Sequence, residues 1–322
     1  MAVKTLSETG IEDLKSPLFF AWHVTNRCNL NCIHCLWESG PHSIWPDELT
    51  TEEAIGICHQ IIEQQIPYAA LSGGEPLLWP GFWPVLELLR ANGIDVKIET
   101  NGQLVDQKAA ERLARLNLRS VQISIDGITQ ETYGKMRSGA KLERSLQAIK
   151  HLVAAGAVTE IVYVPVKFNI QEAEQVIDWA AEQGVRAFYT GKTMYIGRAV
   201  KNWDQIGLSD EEADDLNKRI EAKAVQYRDK MTILYYPYSI IEELVYRVDN
   251  PAASLLMMCN GKVKLLGSVP YVCGDVRKHS LDEIWERYKE GWKQPEVAEY
   301  VRAVAKNPTL LVQALDLIEQ KL

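Results

Sequence analysis

The stretch LFFAWHVTNRCNLNCIHC, residues 18–35, runs from an unbroken apolar segment straight into a loop carrying Cys28, Cys32 and Cys35. The apolar part, LFFAWHVT (18–25), has the length and composition of a strand buried on both faces. The loop then sets three thiols at Cys-x3-Cys-x2-Cys spacing just past that strand. Structural zinc sites take four ligands, usually as two close pairs, and a fourth ligand here would have to be His23, His34 or His42. Three cysteines alone suit an iron-sulfur cube that keeps one iron open to an outside ligand.

The same rhythm of apolar run and polar turn continues downstream. Strands are expected at YAALS (68–72), IDVKIET (94–100), RSVQISI (119–125), EIVYVPV (160–166) and VRAFYT (185–190). Helices are expected between them at 50–65, 79–93, 106–117, 141–156 and 171–184, the first with Thr50 and Glu53 spaced as a capping box. Strands alternating with helices predict a parallel α/β sheet, and strands apolar on both faces are what such a sheet requires when helices cover it. Chemistry in these architectures collects at the C-terminal ends of the strands. Cys28 follows the first strand, SGGEP (72–76) the second and TNG (100–102) the third, while SIDG (124–127) closes the fourth.

After residue 200 the rhythm breaks. A polar helix is expected over 208–230 from Ser209, within a helical linker region at 201–254, and the aromatic run 232–246 fits no pattern. Residues 258–273 read as a hairpin between Cys259 and Cys273, followed by a helix at 280–292 and a last helix through 308–321.

Composition narrows the function classes. The 322 residues are 47% hydrophobic, enough for one large core or a core with a small appendage. The net charge is -8 with no basic block, which argues against nucleic acid as a partner. The N-terminus has no apolar signal region, and no window approaches the roughly 18 apolar residues of a membrane span, so a cytoplasmic location away from membranes is expected. In a reducing compartment clustered cysteines serve as metal ligands or catalytic groups rather than disulfides. Cys58, at an apolar helix position, reads as a packing residue.

Cys28-Asn-Leu-Asn-Cys32-Ile-His-Cys35, followed in order by Gly73-Gly74-Glu75-Pro76, TNG and SIDG, resembles the signature of the radical S-adenosylmethionine enzymes over about residues 18–200. The resemblance implies a partial (β/α)6 TIM-type barrel at 18–200 behind an N-terminal segment at 1–17. It implies one [4Fe-4S] cluster on Cys28, Cys32 and Cys35, with the fourth iron chelated by S-adenosylmethionine. Reductive cleavage would then give a 5′-deoxyadenosyl radical that takes a hydrogen atom from a substrate. Gly73 and Gly74 resemble the motif that meets the methionine amino group, with Glu75 either bonding that group or pinning the turn. Thr100 and Asn101 lie where the family contacts the ribose, or form a simple turn. Ser124 and Asp126 fall where it contacts the methionine carboxylate and ribose, and Arg137 of KMRSG resembles an arginine that approaches the carboxylate, with Arg144 as competitor. His34 is expected to shape the loop.

The C-terminal part resembles the start of a SPASM or Twitch extension: Cys259, a hairpin, Cys273 and SLDEIW (280–285), preceded by MYIGRA (194–199). No cysteine follows Cys273, so the implied unit at 255–322 is a degenerate α+β lid without an auxiliary cluster. Cys259 and Cys273 are then packing residues, or a thiol pair or hydrogen donor near the substrate. The extension type implies a maturase of a ribosomally made precursor peptide. It would work with an external one-electron reductant of flavodoxin or ferredoxin type. A separate leader-peptide-binding protein is a further possible partner, because some 17 residues precede the first strand. The alternatives are a radical enzyme on a small molecule (sugar, nucleoside, tetrapyrrole or cofactor precursor), for which Lys167, Lys192 and Arg198 are candidate anion contacts, and a non-catalytic iron-sulfur scaffold or electron carrier.

Overall fold

The computed structural model describes residues 10–45 and 47–322, so most of the segment at 1–17 lies outside the described residues. The chain begins its sheet with β1 (Phe19–His23) and a short β2 (Asn31–Cys32), followed by α1 (Thr51–Glu63). Then come β3 (Tyr68–Ser72), α2 (Phe82–Ala91), β4 (Asp95–Thr100), α3 (Gln107–Arg115) and β5 (Ser120–Ser124). A short α4 (Gln130–Met136) and β6 (Arg137–Ser138) precede α5 (Leu142–Ala154), β7 (Thr159–Val162), α6 (Ala173–Gln183) and β8 (Ala187–Gly191). Beyond the expected core lie α7 (Arg198–Ile206), α8 (Asp210–Tyr227), β9 (Thr232–Tyr236) and α9 (Ile240–Asp249). The chain ends with β10 (Ser254–Met257), β11 (Lys262–Lys264), β12 (Tyr271–Asp275), α10 (Leu281–Trp292), α11 (Pro295–Lys306) and β13 (Ile318–Glu319).

One sheet runs in the order β13-β12-β11-β10-β1-β3-β4-β5-β7-β8-β9. From β10 to β9 every neighbouring pair is parallel. The six expected strands form the middle of this run, an α/β sheet of partial-barrel type. Local sequence explains the helices between them. Thr50 caps α1 by accepting from the Glu53 N–H while the Glu53 carboxylate accepts from the Thr50 N–H, and Ser209, Ser239 and Ser280 cap α8, α9 and α10 in the same way. The helices bury one face of the sheet, where Val96, Ile98, Val121, Ile123, Ile161 and Phe188 are all fully buried.

Three differences from the sequence reading have physical causes. β1 and β3 are apolar on both faces as expected, with Phe19, Ala21, Tyr68 and Ala70 on the concave side, but on β4, β5, β7 and β8 that side carries Lys97, Glu99, Gln122, Glu160 and Tyr189. Within the region read as a helical linker, Thr232–Tyr236 is a strand that extends the sheet beside β8. The last α-helix is Pro295–Lys306, started by a proline at its first turn, while residues 308–315 form a 3-10 helix behind Pro308 and 318–319 pair with β12. The hairpin itself is present: β11 and β12 pair antiparallel, and β10 joins them to β1. No helix among the described residues is long and apolar enough to cross a membrane.

Candidate active site

The loop after β1 and the turns after β3, β4 and β5 meet at one rim. Gly73 and Gly74 are what lets them meet. A Cβ on Gly73, whose φ is +148°, would stand 2.6 Å from the Thr25 carbonyl oxygen, and one on Gly74 would stand 2.6 Å from the Arg27 carbonyl carbon. The Gly74 N–H donates to Thr25 O at 2.6 Å and the Glu75 N–H to Arg27 O at 2.9 Å, so the turn is stitched onto the start of the cysteine loop. The close approach that requires these glycines is to the protein's own backbone.

Glu75 is fully buried and ties two strand ends together. Its carboxylate accepts from Thr100 Oγ1 at 2.7 Å, from the Asn101 N–H at 3.0 Å and from the Leu77 N–H at 3.2 Å. Burial pushes its carboxyl up to about 7 against those donors. The Asn101 side chain then turns to the cysteine loop, donating to Asn29 Oδ1 at 2.8 Å with its amide nitrogen 3.8 Å from Cys28 Sγ.

Asp126 and Arg137 form the second network. Asp126, fully buried, accepts from Arg137 Nε at 2.7 Å and from the Val164 N–H at 2.9 Å, and His34 Nε2 stands 3.5 Å away. Cys32 and Arg137 are register partners in the short antiparallel pair of β2 and β6, which brings Arg137 Nη1 to 3.7 Å from Cys32 Sγ. Burial opposes the charge on Arg137, but Asp126 and Cys32 hold it in the charged form. Arg144 is exposed on α5, so Arg137 is the arginine at the rim. Ser124 ends β5, its carbonyl accepting from the Tyr133 hydroxyl at 3.1 Å. Burial lowers His34 to about 4, so it is neutral at pH 7 and orders the loop beside Asp126.

The cysteine loop has further clamps that the sequence reading missed. His23 Nε2 lies 3.0 Å from Asn26 Oδ1, which also accepts from Ser39 Oγ at 2.8 Å. Glu48 accepts from Thr25 Oγ1 at 2.9 Å and from the Asn26 N–H at 2.7 Å. The MYIGRA segment closes over the other end. Gly197 has φ +58°, a Cβ there would stand 2.6 Å from Cys35 O, and the Arg198 N–H donates to that same oxygen at 3.0 Å. The Arg198 guanidinium bonds Asn31 Oδ1 and Ser39 O. The available signal was Gly197 itself, since a glycine at such a turn permits a close backbone approach.

The donor set can be tested against an iron-sulfur cluster. Cys28, Cys32 and Cys35 are free thiols; the first two are buried and the third is partly open. Burial pushes Cys28 up to about 12 and Cys32 to about 11, so they are protonated without metal. Donors nonetheless point at two of the sulfurs: the Leu30 N–H at 3.4 Å and the Asn101 amide for Cys28, and Arg137 for Cys32. Such groups stabilise thiolates. Among the described residues no three His, Cys, Asp or Glu side chains converge tightly enough to hold a single ion. A cube needs no such convergence, because each thiolate binds a different iron, and the three soft sulfurs fit it.

Cys259 and Cys273 sit differently. Both are fully buried. Cys259 faces the Glu48 carboxylate, and burial with that charge raises its pKa. Cys273 donates to Val263 O at 3.4 Å and is pushed up to about 12 by burial.

The comparisons with known proteins agree with this geometry. The model of the radical SAM superfamily matches residues 22–180. The chain carries a radical SAM domain. That superfamily works with a [4Fe-4S] cluster and S-adenosylmethionine. The chain is 32% identical over 206 residues to mycofactocin maturase MftC of Mycobacterium ulcerans, covering 64% of this chain and 55% of that protein, so it spans about half the length of that relative. It is 28% identical over 291 residues to an AdoMet-dependent heme synthase of Methanosarcina barkeri, covering 84% of this chain and 82% of that one. In fold it resembles SuiB of Streptococcus suis bound to S-adenosylmethionine, with a TM-score of 0.73 at 16% identity over 93% of this chain and 76% of SuiB.

Proposed function

We propose that the protein is a radical S-adenosylmethionine enzyme that takes a hydrogen atom from a peptide, as the maturase of a ribosomally made precursor. The observation that carries this reading is the rim: three thiols, donors aimed at two of them, and the Glu75 and Asp126–Arg137 networks alongside. When bound, the cluster and S-adenosylmethionine supply a 5′-deoxyadenosyl radical strong enough to take hydrogen from an unactivated carbon. The chain's residues do the remaining work. Cys28, Cys32 and Cys35 would hold three irons, while Asn101 and Arg137 steady the charge on the sulfurs. Gly73 and Gly74, with the turn pinned by Glu75, would form the edge that meets the methionine amino group. Ser124, Asp126 and Arg137 lie where its carboxylate would be bound, and Thr100 and Asn101 where the ribose would be. An external one-electron reductant, and a separate protein that binds the leader of the peptide, complete the proposed system.

We further read residues 255–322 as a degenerate Twitch-like extension on the 18–200 core, with 201–254 as the linking region. The hairpin and the Ser280 cap of α10 support that reading, and the full burial of Cys259 and Cys273 supports packing roles for both. The peptide substrate is supported by similarity to the mycofactocin maturase and by the likeness of fold to SuiB, also solved with its precursor peptide SuiA.

One observation favours a second reading, chemistry on a tetrapyrrole: the heme synthase matches more of both chains. The cations expected to receive its carboxylates are engaged elsewhere. Lys167 bonds Asp204 O at 3.3 Å, Lys192 lies 3.6 Å from Asp210, and Arg198 clamps the cysteine loop. The test is anaerobic: reconstituted protein, S-adenosylmethionine and reductant are mixed with the peptide or the small-molecule fraction of a source lysate. The peptide fraction should raise 5′-deoxyadenosine above the uncoupled background. Stimulation by the small-molecule fraction alone would replace this reading with the second, and no 5′-deoxyadenosine under any condition would leave only an iron-sulfur scaffold.

A further inference from the structure

The concave face of the sheet carries a polar layer that the rim does not use. Glu99 on β4 is the register partner of Gln122 on β5, and Gln122 is the partner of Glu160 on β7. Register partners on adjacent strands stand side by side, about 4.8 Å apart and on one face. Asn101 and Ser124 are the next positions on that face, so the layer lies about 7 Å below the rim.

The three side chains are unequally satisfied. Glu160 is answered by charge: Lys97 Nζ stands 3.1 Å from its carboxylate and lies 5.2 Å from the Tyr189 ring centre. Gln122 is only 7% exposed, yet its side-chain amide has no hydrogen-bond partner among the described residues. Its amide atoms are not sealed from solvent, so in the open barrel water answers them and a ligand group can take that water's place. Glu99 stands mid-wall and is exposed to the open barrel interior, where its carboxylate meets water, with neither a hydrogen bond nor an ion pair among the described residues. Lys97 balances one of the two carboxylates, so one negative charge and one amide remain without partners.

We infer that Glu99 and Gln122 form a subsite for an alkylammonium group carried by the substrate, such as a lysine side chain, beneath the rim. An ammonium is all donor, which matches a carboxylate beside an amide oxygen. It also removes the surplus charge, whereas a carboxylate ligand would meet Glu99 and Glu160 together. The inference rests on the proposed reading for where the reacting carbon lies, and it adds a substrate class: a chain with a cationic side chain near the position that loses hydrogen.

The test is binding of n-butylammonium, with 1-butanol as its neutral counterpart, to the reconstituted full chain at pH 7, followed by ligand-observed NMR without reductant. Butylammonium should bind and butanol should not. Glu99→Gln should weaken the binding by about tenfold or more, the equivalent of about 1.4 kcal/mol. Lys97→Met, which frees Glu160, should strengthen it; a gain of affinity cannot come from misfolding. Equal binding by wild type and Glu99→Gln, equal binding of butanol, or displacement of butylammonium by S-adenosylmethionine would each overturn the inference. Because no radical is generated, the two readings fail separately. Butylammonium binding without any 5′-deoxyadenosine formation sinks the enzyme reading, and the converse sinks only the subsite.

Discussion

Two groups of cysteines in this chain are buried to a similar degree and prepared for opposite fates. Cys28 and Cys32 lie in a loop at the strand rim, and donors outnumber acceptors at their sulfurs: a backbone N–H, the Asn101 amide and the Arg137 guanidinium against the Asn29 Oδ1 at 3.9 Å. Cys259 and Cys273 lie at the hairpin, where acceptors, the Glu48 carboxylate and the Val263 carbonyl, stand against the Asn26 N–H at Cys259 and the charge of Arg287 at Cys273. Donors and positive charge favour a thiolate, while acceptors favour the thiol. Burial raises the pKa in both places, so it is the polarity of the neighbours, and not depth, that separates a ligand set from a packing pair.

The comparison breaks most sharply at Arg137. Arg137→Met removes the cation beside Cys32 and strands the fully buried Asp126. It should cost about 3–5 kcal/mol in a urea titration and lower the iron bound on reconstitution. A loss under 1 kcal/mol with normal iron content would mean that the donors at the rim are incidental.

The rim should also weaken in acid in a way the hairpin does not. His23 supports the cysteine loop through Asn26, and burial lowers it to about 4 from an ordinary 6.5. Above pH 6.5 it is neutral folded or unfolded. As pH falls from 6.5 to 4 the unfolded chain takes up a proton that the folded chain refuses, so stability falls, by up to about 3 kcal/mol. His23→Gln should flatten that part of the pH dependence of urea midpoints. An unchanged slope would place the acid sensitivity elsewhere.

The smallest effect belongs to the hairpin. Cys273→Ala removes one buried sulfur and a weak bond to Val263 O, and should cost about 1–2 kcal/mol while leaving iron content unchanged. Loss of iron in that variant would join the two cysteine groups into one system and end the contrast.

Much of this was legible in the sequence, for reasons that can be stated. β3, between turn residues, appears at the expected Tyr68–Ser72, and Thr50 caps α1 as its spacing with Glu53 implies. The rim follows from strand order, because parallel connections bring all the C-terminal ends to one side. β7 stops at Val162, short of the expected run, because the Val164 N–H turns to Asp126 instead of a strand. α4 escaped notice because its seven residues, QETYGKM, are too few to show a period. The alternation of β4, Asp95-Val-Lys97-Ile-Glu99, was there to read, but the juxtaposition of Glu99, Gln122 and Glu160 was not, because only the strand register sets residues from three strands side by side. Gly197 signalled a close approach near Arg198 but not its partners, since Asn31 and Ser39 lie far away in sequence.

The most direct test of the central claim is 5′-deoxyadenosine formation by anaerobically reconstituted protein with S-adenosylmethionine and reductant. Wild type is compared with Cys28→Ala, Cys32→Ala, Cys35→Ala and Cys259→Ala. Activity lost in each of the first three and retained in Cys259→Ala is the predicted result. Turnover surviving in any of the first three would contradict the assignment of the cluster to Cys28, Cys32 and Cys35.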